Sequence, residues 1–568
     1  MEAAGLALSA ASLSFELFGG CVEGFVLLSN AQNFGRDASF LRTMLNVEEY
    51  RFVKWADAVG LTAQATRVLP QLNKDLAEEL MVQLSDRLDS SKLKERYSLD
   101  AQPGETVTAT DANKKELSIL AGAVSEKRRR EILARARLLQ SQGLSKQLRW
   151  AAIDKTRFQT LVQDVREIVD ALWHLLEPIQ LRDLSQQVGQ TLTAVVDMSH
   201  DINALKGLQA SFSRKDTVRL PSFEILESAV GLKVVREQLP GESAVQQAHQ
   251  SLNEDPIQPL NRSLLKRPAS SSHTTAPFVG EYDGKAVICE AKVVPARLKP
   301  KLRLRAENLA KLLSLPKSSS FLTLRCLGFM EDQDEFVFIY EYPAGSDTSC
   351  PPRSLQDLMR DSRSKLPSLT KRLRMAPEIC KTLLTVHTAG WLHKNVRSEN
   401  ILFFSDGTSP NIKDSPTRPY LAGFTFSRAD SPVEISDQAS EDPLLDIYRH
   451  PQALGEPSVS YAMYMDHYSL GMVLAEIAEW RPLKHIVKKQ VDVTNRLVDV
   501  PLSALAGIQA WFWRELVQRG QIEFRMGEVY GRFISYLTRL DRGNQTTGRT
   551  KCLLELEQFV NELGCCRV

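Results

Sequence analysis

The chain has 568 residues, of which 43% are hydrophobic and 25% are charged. This composition is typical of a globular protein, and the length exceeds what one hydrophobic core supports, which predicts about three or four domains. The net charge of +2 excludes neither nucleic acid nor membrane as a partner, because charge can be concentrated locally. No stretch reaches the roughly 18 uncharged apolar residues of a membrane-spanning helix.

The N-terminus and the cysteines predict a protein of a reducing compartment. Glu2 is acidic and no Lys or Arg precedes the first apolar run, so we expect no secretory signal. The eight cysteines show no C-x-x-C spacing, which argues against a zinc-type site. We therefore expect reduced thiols in the cytosol rather than a disulfide framework.

Helices are predicted for residues 1 to about 180. The strongest pattern is in residues 158–172, where apolar side chains recur at helical spacing. A weaker helical pattern continues over residues 181–265. The stretch KRPASSSHTTAP, residues 266–277, is a Ser/Thr/Pro linker that marks a domain boundary.

After this linker the pattern changes to strands. FVGEYDGKAVICEAKVV predicts a strand at Phe278–Tyr282, an Asp-Gly turn, and a second strand at Ala286–Val293. The pattern then predicts a helix at Arg303–Leu313, strands at Phe321–Leu324 and Glu335–Tyr342, and mainly helices from Leu366 onward. Strands followed by helices indicate an α+β region.

The motifs of this region resemble those of the protein kinase fold, in the same order, over residues 278–560. Lys292 resembles the strand-three lysine of kinases, and Glu307 resembles its salt-bridge partner. The segments that follow resemble, in order, the hinge, the catalytic loop, the D-F-G segment, the A-P-E segment and the anchoring helix of the large lobe. These segments are YEYP at Tyr340–Pro343, HKNVRSEN at His393–Asn400, YLAGFTFSR at Tyr420–Arg428, YRHP at Tyr448–Pro451 and DHYSLGMVLAEI from Asp466. The resemblance implies a bilobal fold with a sheet-rich small lobe before a helical large lobe.

The groups that carry phosphoryl transfer are replaced in these motifs. Asn395 stands in the place of the catalytic base and Gly423 in the place of the metal-binding Asp, so a base and a metal ligand are lost. Residues 270–275 contain no glycine where a glycine-rich loop is expected, and Pro343 lacks an N–H for the adenine ring. We expect a catalytically dead kinase-like domain, a pseudokinase, with no catalytic residues and no metal.

Lys292, Glu307 and Asn400 mark a vestigial nucleotide cleft. Each has a structural alternative, since a Lys–Glu pair holds a helix and an Asn caps a turn. We expect no cofactor, and weak metal-independent ATP binding stays open as an alternative. An active or atypical Ser/Thr kinase is the second hypothesis and a non-enzymatic scaffold is the third.

The N-terminal half resembles the fungal HeLo domain of the HET-s and LopB proteins, the prion-inhibition and propagation family. The resemblance covers about residues 1–210 and depends on residues 1–25, NFGRD at Asn33–Asp37, VKWADAVGL at Val53–Leu61 and the segment Arg149–Pro178. It implies an all-α helical bundle, self-association, and a role in heterokaryon incompatibility and programmed cell death at membranes. The plan is similar to that of mixed-lineage kinase domain-like proteins.

Two N-terminal features predict contact with a membrane. The small-residue-rich segment Ala3–Phe18 could insert as an oligomer, although Glu16 is costly in lipid; its apolar residues are Leu6, Leu8, Leu13, Phe15, Leu17 and Phe18. A basic cluster predicts a patch for anionic lipids, formed by Lys127, Arg128, Arg129, Arg130, Arg135 and Arg137. The alternatives are a buried first helix and a solvated helix face. Aromatic residues for nucleic acid are not evident beside the cluster, so we expect no nucleic acid partner.

The chain is therefore predicted to be multidomain. We expect a HeLo-like helical bundle at residues 1–210, a helical brace and linker at 211–277, a degenerate kinase-like domain at 278–560 and a tail at 561–568. The tail contains Cys565 four residues from the end, where prenylation and acylation are weaker alternatives to an unmodified thiol. The expected function is cytoplasmic signalling of the fungal incompatibility type with inducible association with the plasma membrane, and an upstream protein is the expected trigger.

Overall fold

The computed structural model describes most of the chain. The described residues are 17–29, 38–61, 72–103, 148–152, 155–212, 221–239, 260–268, 276–316, 321–332, 334–361, 366–407, 418–430, 446–454, 459–488, 507, 509–539 and 549–566. They form two compact units, Met1–Val230 and Gly231–Val568.

The first unit is mainly helical. Its helices are α1 (residues 17–29), α2 (Ala38–Val59), α3 (Lys74–Leu88), α4 (Leu93–Tyr97), α5 (Lys155–His174), α6 (Pro178–Met198), α7 (Ile202–Phe212) and α8 (Pro221–Gln238), which continues past Val230. The predicted amphipathic helix at residues 158–172 is α5, and all seven of its apolar residues larger than alanine are buried. Helical periodicity therefore predicted this element and its buried face correctly.

Helix α2 lies at the centre of this unit and packs against α5, α6 and α7. The approach of α7 is close because Gly207 has no side chain; a Cβ there would lie 2.6 Å from the carbonyl oxygen of Phe40. The rings of Phe18 and Phe52 pack with their centroids 5.4 Å apart. Phe18 is fully buried, so this residue of the predicted membrane-inserting segment belongs to the core of the bundle.

Part of the N-terminal region that was predicted to be helical forms strands. Strand β1 (Asp100–Pro103) pairs with β2 (Leu148–Ala152) in antiparallel register, and helix α5 begins only at Lys155. Helices were predicted for residues 1 to about 180, and strands β1 and β2 correct that prediction for residues 100–103 and 148–152. Cross-strand hydrogen bonds to a distant segment decide the backbone here, which local periodicity does not detect.

Four buried charges join α2 and α5. Arg51 contacts Glu48 at 2.7 Å and Asp170 at 2.5 Å, while Arg166 contacts the other oxygen of Glu48 at 2.8 Å. The guanidinium of Arg51 also lies 5.0 Å from the ring centroid of Trp173. Because the two positive and two negative groups neutralise one another, the helices can bury them together.

The second unit begins with an antiparallel sheet and a helix. The strands are β3 (Leu265–Lys266), β4 (Phe278–Tyr282), β5 (Lys285–Val293), β6 (Cys326–Glu331) and β7 (Glu335–Tyr340), and the helix α9 (Lys299–Ser314) follows β5. Their order in the sheet is β3-β4-β5-β7-β6. Strand β5 is therefore central, and its residues Val287 to Lys292 are all buried.

The predicted hairpin is present, and one predicted strand is displaced. Asp283 and Gly284 both have positive φ, 49° and 74°, as a two-residue turn between β4 and β5 requires. The residues Phe321–Leu324 were predicted as a strand, but they form only an isolated bridge, and the strand is β6 at Cys326–Glu331. Pairing with β7 selects β6, and both segments are apolar enough to be buried.

The rest of the second unit is mostly helical. Its helices are α10 (Leu355–Arg360), α11 (Leu369–Thr388), α12 (Met463–Glu479), α13 (Leu483–Lys488), a π-helix (Trp513–Gln518), α14 (Gln521–Met526), α15 (Glu528–Leu537) and α16 (Arg549–Cys565). Short strands β8 (Arg353–Ser354), β10 (Ile401–Phe403) and β11 (Tyr420–Leu421) form one small sheet, and β9 (Trp391–Leu392) pairs with β12 (Arg428–Ala429). Strands before helices match the predicted α+β order.

Two properties of the described residues bear on chemistry and membranes. All eight cysteines lie in described segments, and all are free thiols. No helix within the described segments has both the length and the apolar character needed to span a bilayer.

Candidate functional site

The loop that resembles a catalytic loop, residues 393–400, is anchored by a buried aspartate on helix α12. Asp466 accepts hydrogen bonds at 2.7 Å from the backbone N–H groups of both His393 and Lys394, and at 2.8 Å from the hydroxyl of Tyr461. Lys394 has a φ of 65°, a strained conformation that these bonds hold in place. The loop is thus fixed in shape by a residue about 70 positions away.

The same aspartate interacts with a buried histidine. His387 on α11 lies with its Nε2 at 3.0 Å from Asp466. Burial by itself would raise the pKa of Asp466, but the hydrogen bond and charge of His387 bring this pKa below its usual value. Burial also lowers the pKa of His393 to about 4, so this side chain is neutral at neutral pH.

The predicted base, metal and cleft positions meet at the end of this loop. Asn395 donates its amide N–H to the carbonyl of Gly423 at 3.2 Å, and Asn400 donates its amide N–H to the carbonyl of Asn395 at 2.8 Å. The backbone N–H of Ala422 donates to the carbonyl of Asn400 at 2.8 Å. Neutral amides therefore donate to backbone carbonyls at the positions where a phosphoryl-transfer site needs carboxylates.

Gly423 is held in a conformation that other residues adopt with strain. Its φ is 85°, in the left-handed region, and it precedes a 3₁₀ turn at Phe424–Phe426. A Cβ at this position would collide with the amide of Asn400. An aspartate cannot therefore enter position 423 unless Asn400 moves.

A buried glutamate from the sheet reaches this point. Glu290, in the middle of β5, accepts a hydrogen bond at 2.6 Å from the backbone N–H of Gly423 and one at 3.2 Å from the hydroxyl of Tyr340. Burial raises the pKa of the Glu290 carboxyl to about 7, although these donors act in the opposite direction. Only 4% of this residue is exposed.

The predicted pair Lys292–Glu307 is arranged differently. In the part of the chain that the structure describes, Glu307 forms its ion pair with Arg303 on its own helix at 3.0 Å. Lys292 is buried on β5, and its Nζ lies 4.9 Å from the ring centroid of Phe426. The structure thus brings Lys292, Asn395, Asn400 and Gly423 to one region, while Glu307 pairs elsewhere.

A cavity of about 240 Å³ lies beside this region. Apolar side chains of Val279 and Ile288 from the sheet and Leu402 from β10 line it, with Gln356 and Glu399 at its polar side. The carboxylate of Glu399 accepts a hydrogen bond from the side-chain amide of Gln356 at 3.0 Å.

The potential metal ligands of the described segments do not cluster in threes. None of their His, Cys, Asp and Glu side chains form a group of three or more that could hold a metal ion. The carboxylate beside Gly423, that of Glu290, is bonded to backbone and to a tyrosine. These hydrogen bonds hold residues 393–400 and Gly423 in a fixed arrangement.

Glu290 is the residue that inspection of the motifs missed. A signal was present, because an acidic residue stands in the apolar strand AVICEAKVV, where burial of a charge requires partners. The partner at Gly423 is 133 positions away and could not be named from the sequence.

Two of the predicted membrane-contacting residues lie within the described segments. Phe18 is fully buried and Leu17 is partly buried in α1. The other four residues of the inserting segment and all six of the basic patch, Leu6, Leu8, Leu13, Phe15, Lys127, Arg128, Arg129, Arg130, Arg135 and Arg137, lie outside the described residues.

Comparison with a family model supports the N-terminal resemblance. Residues 5–208 match the HeLo family, described as prion-inhibition and propagation. The N-terminal helical region is consistent with this match, which confirms the HeLo resemblance predicted from the sequence. Residues 209–568 lie outside it.

Three curated proteins are also similar to the chain. The heterokaryon incompatibility proteins s and S of Podospora anserina are each 24% identical over 204 residues, which is 33% of this chain and 67% of each relative. A serine/threonine-protein kinase-like protein of Arabidopsis thaliana is 28% identical over 172 residues, 30% of this chain. The alignment spans 41% of the length of that plant relative.

Proposed function

We propose that this chain is a signalling protein of the fungal incompatibility and cell-death type. In this proposal a catalytically dead kinase-like domain controls a HeLo domain that self-associates and acts at anionic membranes. The protein resides in the cytoplasm until an upstream protein partner triggers it, and it then associates with the plasma membrane. The HeLo match over residues 5–208, on the same chain as a kinase-like region without a base, is the observation that carries the proposal.

The kinase-like part of the proposal is supported by motif order and by the geometry around position 423. The anchoring of loop 393–400 by Asp466 keeps the shape of a catalytic loop. The plant relative is itself called kinase-like. Without carboxylates at Asn395 and Gly423, the region lacks the base and metal ligand that transfer would need.

The membrane part is supported by the relatives and by the sequence. Two of the relatives are heterokaryon incompatibility proteins. The basic cluster at residues 127–137 supplies six positive charges, each contributing roughly 1 kcal/mol near an anionic leaflet. Because Phe18 is buried in the bundle, the segment that includes it must leave the core before it can enter lipid.

A vesicle experiment with the full chain tests this function. Dye-loaded vesicles of phosphatidylcholine with and without phosphatidylserine are incubated with wild type and with the variant in which Arg128, Arg129 and Arg130 are replaced by Gln. We expect binding and leakage only with the anionic vesicles and a marked loss in the variant. A variant with Lys74, Lys92 and Lys94 replaced by Gln, which removes three charges elsewhere in the first unit, is the control.

Two results would contradict the proposal. Leakage and binding that are absent from every vesicle, also after the trigger is mimicked by deleting residues 278–568, would exclude the membrane role and leave the scaffold. Sustained phosphorylation of an acceptor that disappears in Lys292→Ala would instead establish the active-kinase alternative.

A further inference from the structure

Glu290 stands on the sheet side of the kinase-like unit, opposite the loop that contains Gly423. It lies in the centre of β5, where it pairs with Phe338 of β7, and its neighbours Cys289 and Ala291 are buried. A carboxyl in such an apolar strand is unfavourable unless its oxygens are satisfied. The partners of both oxygens are therefore informative.

Each oxygen of this carboxyl accepts a different hydrogen bond. Oε1 accepts from the backbone N–H of Gly423 at 2.6 Å, and Oε2 accepts from the hydroxyl of Tyr340 at 3.2 Å. The backbone N–H groups of Phe424 and Thr425 also favour its charged form. The bond to Gly423 links the sheet to the loop of the helical part.

The peptide groups of Gly423 are held from both sides. Its N–H donates to Glu290 of the sheet, while its carbonyl accepts from Asn395 of loop 393–400 at 3.2 Å. The side chain of Asn400 fills the space that a Cβ of residue 423 would need. Two segments, strand β5 and loop 393–400, thus converge on one glycine.

We propose that Glu290 is a bridging residue whose carboxylate ties the central strand of the sheet to the Gly423 loop and keeps the kinase-like unit closed without any ligand. The bridge goes beyond the loss of catalytic groups, because it assigns a side chain of the chain itself to the space in which an active kinase would hold its ligand. The comparison with the ligand space of an active kinase rests on the proposed function, whereas the bridge rests on the hydrogen bonds alone.

The bridge also determines which ligands the region rejects. The pKa of Glu290 is about 7, so above that pH its charge beside Gly423 repels phosphate oxygens. An anionic nucleotide is thus disfavoured at this position by the ionised form of Glu290.

Hydrogen exchange of the full chain tests the bridge. The variants are Glu290→Ala, which removes the acceptor, and Glu290→Gln, which keeps an amide oxygen of similar shape. Glu307→Gln is the matched control, since Glu307 is a carboxylate of the adjacent helix paired with Arg303. We expect amide exchange in residues 421–427 to accelerate about tenfold or more in Glu290→Ala, to change less in Glu290→Gln, and to stay unchanged in the control.

Chemical rescue separates a bridge from a general packing role. Formate, compared with chloride at equal ionic strength, should slow exchange in residues 421–427 of Glu290→Ala and leave wild type and Glu307→Gln unaffected. Equal protection of this segment in Glu290→Ala and wild type would overturn the proposal, as would faster exchange spread evenly over the unit. If Glu290→Ala does not fold, an unchanged exchange rate in both Glu290→Gln and Glu290→Asp overturns it.

The outcome for the bridge is independent of the outcome for the proposed function. If wild type transfers phosphate from ATP, the pseudokinase proposal fails, and the exchange data still decide whether Glu290 joins the sheet to the loop. If the exchange data are negative while wild type neither binds nor transfers phosphate, only the bridge is rejected.

Discussion

Gly423 illustrates how backbone conformation and a neighbouring side chain select one residue. Its φ of 85° is unfavourable for residues with a Cβ, and the amide of Asn400 occupies the place where the Cβ would be. The absence of a side chain at residue 423 therefore matters for packing as well as for backbone conformation. It allows Asn400 and Asn395 to fill the position with neutral hydrogen bonds.

Substitution of Gly423 by Ala should destabilise the second unit by about 2–4 kcal/mol, from backbone strain together with the collision at Asn400. Gly284→Ala is the control, because Gly284 has a similar φ of 74° but open space around it, so only the strain of about 1 kcal/mol is expected. Urea unfolding of the two variants measures the difference. Equal losses in the free energy of unfolding would show that Asn400 moves away from the new Cβ without destabilising the fold.

The pH dependence of stability should report Glu290. The pKa of the Glu290 carboxyl is about 7 in the folded protein, above its ordinary value of 4.5. The folded protein therefore binds this proton more tightly than the unfolded chain does. Stability should therefore fall as pH rises from about 4.5 to 7, by up to roughly 3 kcal/mol. In Glu290→Gln this part of the fall should disappear.

Urea midpoints at pH 5, 6 and 7 measure this effect. Glu476, whose pKa burial also raises to about 7, remains in both proteins and leaves a residual slope. A slope in Glu290→Gln identical to that of wild type would mean that Glu290 is already ionised at pH 5 in the folded protein.

At the level of elements, the buried charges between α2 and α5 distinguish this bundle from a purely apolar one. Arg51 contacts both Glu48 and Asp170, and Trp173 donates its indole N–H to the carbonyl of Arg51 at 3.2 Å. Such a network fixes the register of two helices, because a shift of either helix would leave buried charges without partners.

Removal of Arg51 should therefore be costly. Arg51→Ala leaves the carboxylates of Glu48 and Asp170 with less compensation, and a loss of about 3–5 kcal/mol is expected. Lys54→Ala, which breaks the partly exposed contact of Lys54 with Asp57 at 3.9 Å, should cost less than about 1 kcal/mol. Hydrogen exchange of α2 peptides in increasing urea gives both values, and similar losses would contradict the role of the network.

For the whole molecule, the central expectation concerns nucleotide. The proposed pseudokinase predicts no shift in the melting temperature of the full chain with ATP, in the presence or absence of Mg²⁺. A shift that requires Mg²⁺ would contradict this expectation. A shift without Mg²⁺ would support the alternative of weak metal-independent binding.

Restoring the two lost groups should not restore transfer. In Asn395→Asp with Gly423→Asp, the new side chain at 423 meets Asn400 and faces the carboxylate of Glu290. We expect radiolabelled phosphate transfer at the level of wild type in this double variant. Transfer well above that level would show that the identities of residues 395 and 423 alone prevent phosphate transfer by the wild-type chain.

The sequence by itself determined the features that depend on near neighbours and on residue identity. The helical spacing of residues 158–172 predicted α5, the Asp-Gly pair predicted the β4–β5 turn, and the motif NFGRD pointed to the HeLo family. The identities of Asn395 and Gly423 are likewise read from the sequence, and their interpretation as replacements of a base and a metal ligand stays a prediction.

Only the tertiary structure decided which distant groups meet. It placed Glu290 against Gly423, paired Glu307 with Arg303, and selected Cys326–Glu331 as a strand through pairing with β7. The physical reason is that periodicity reports which face of an element is buried, whereas hydrogen-bond partners and ion pairs depend on where the chain returns after many residues.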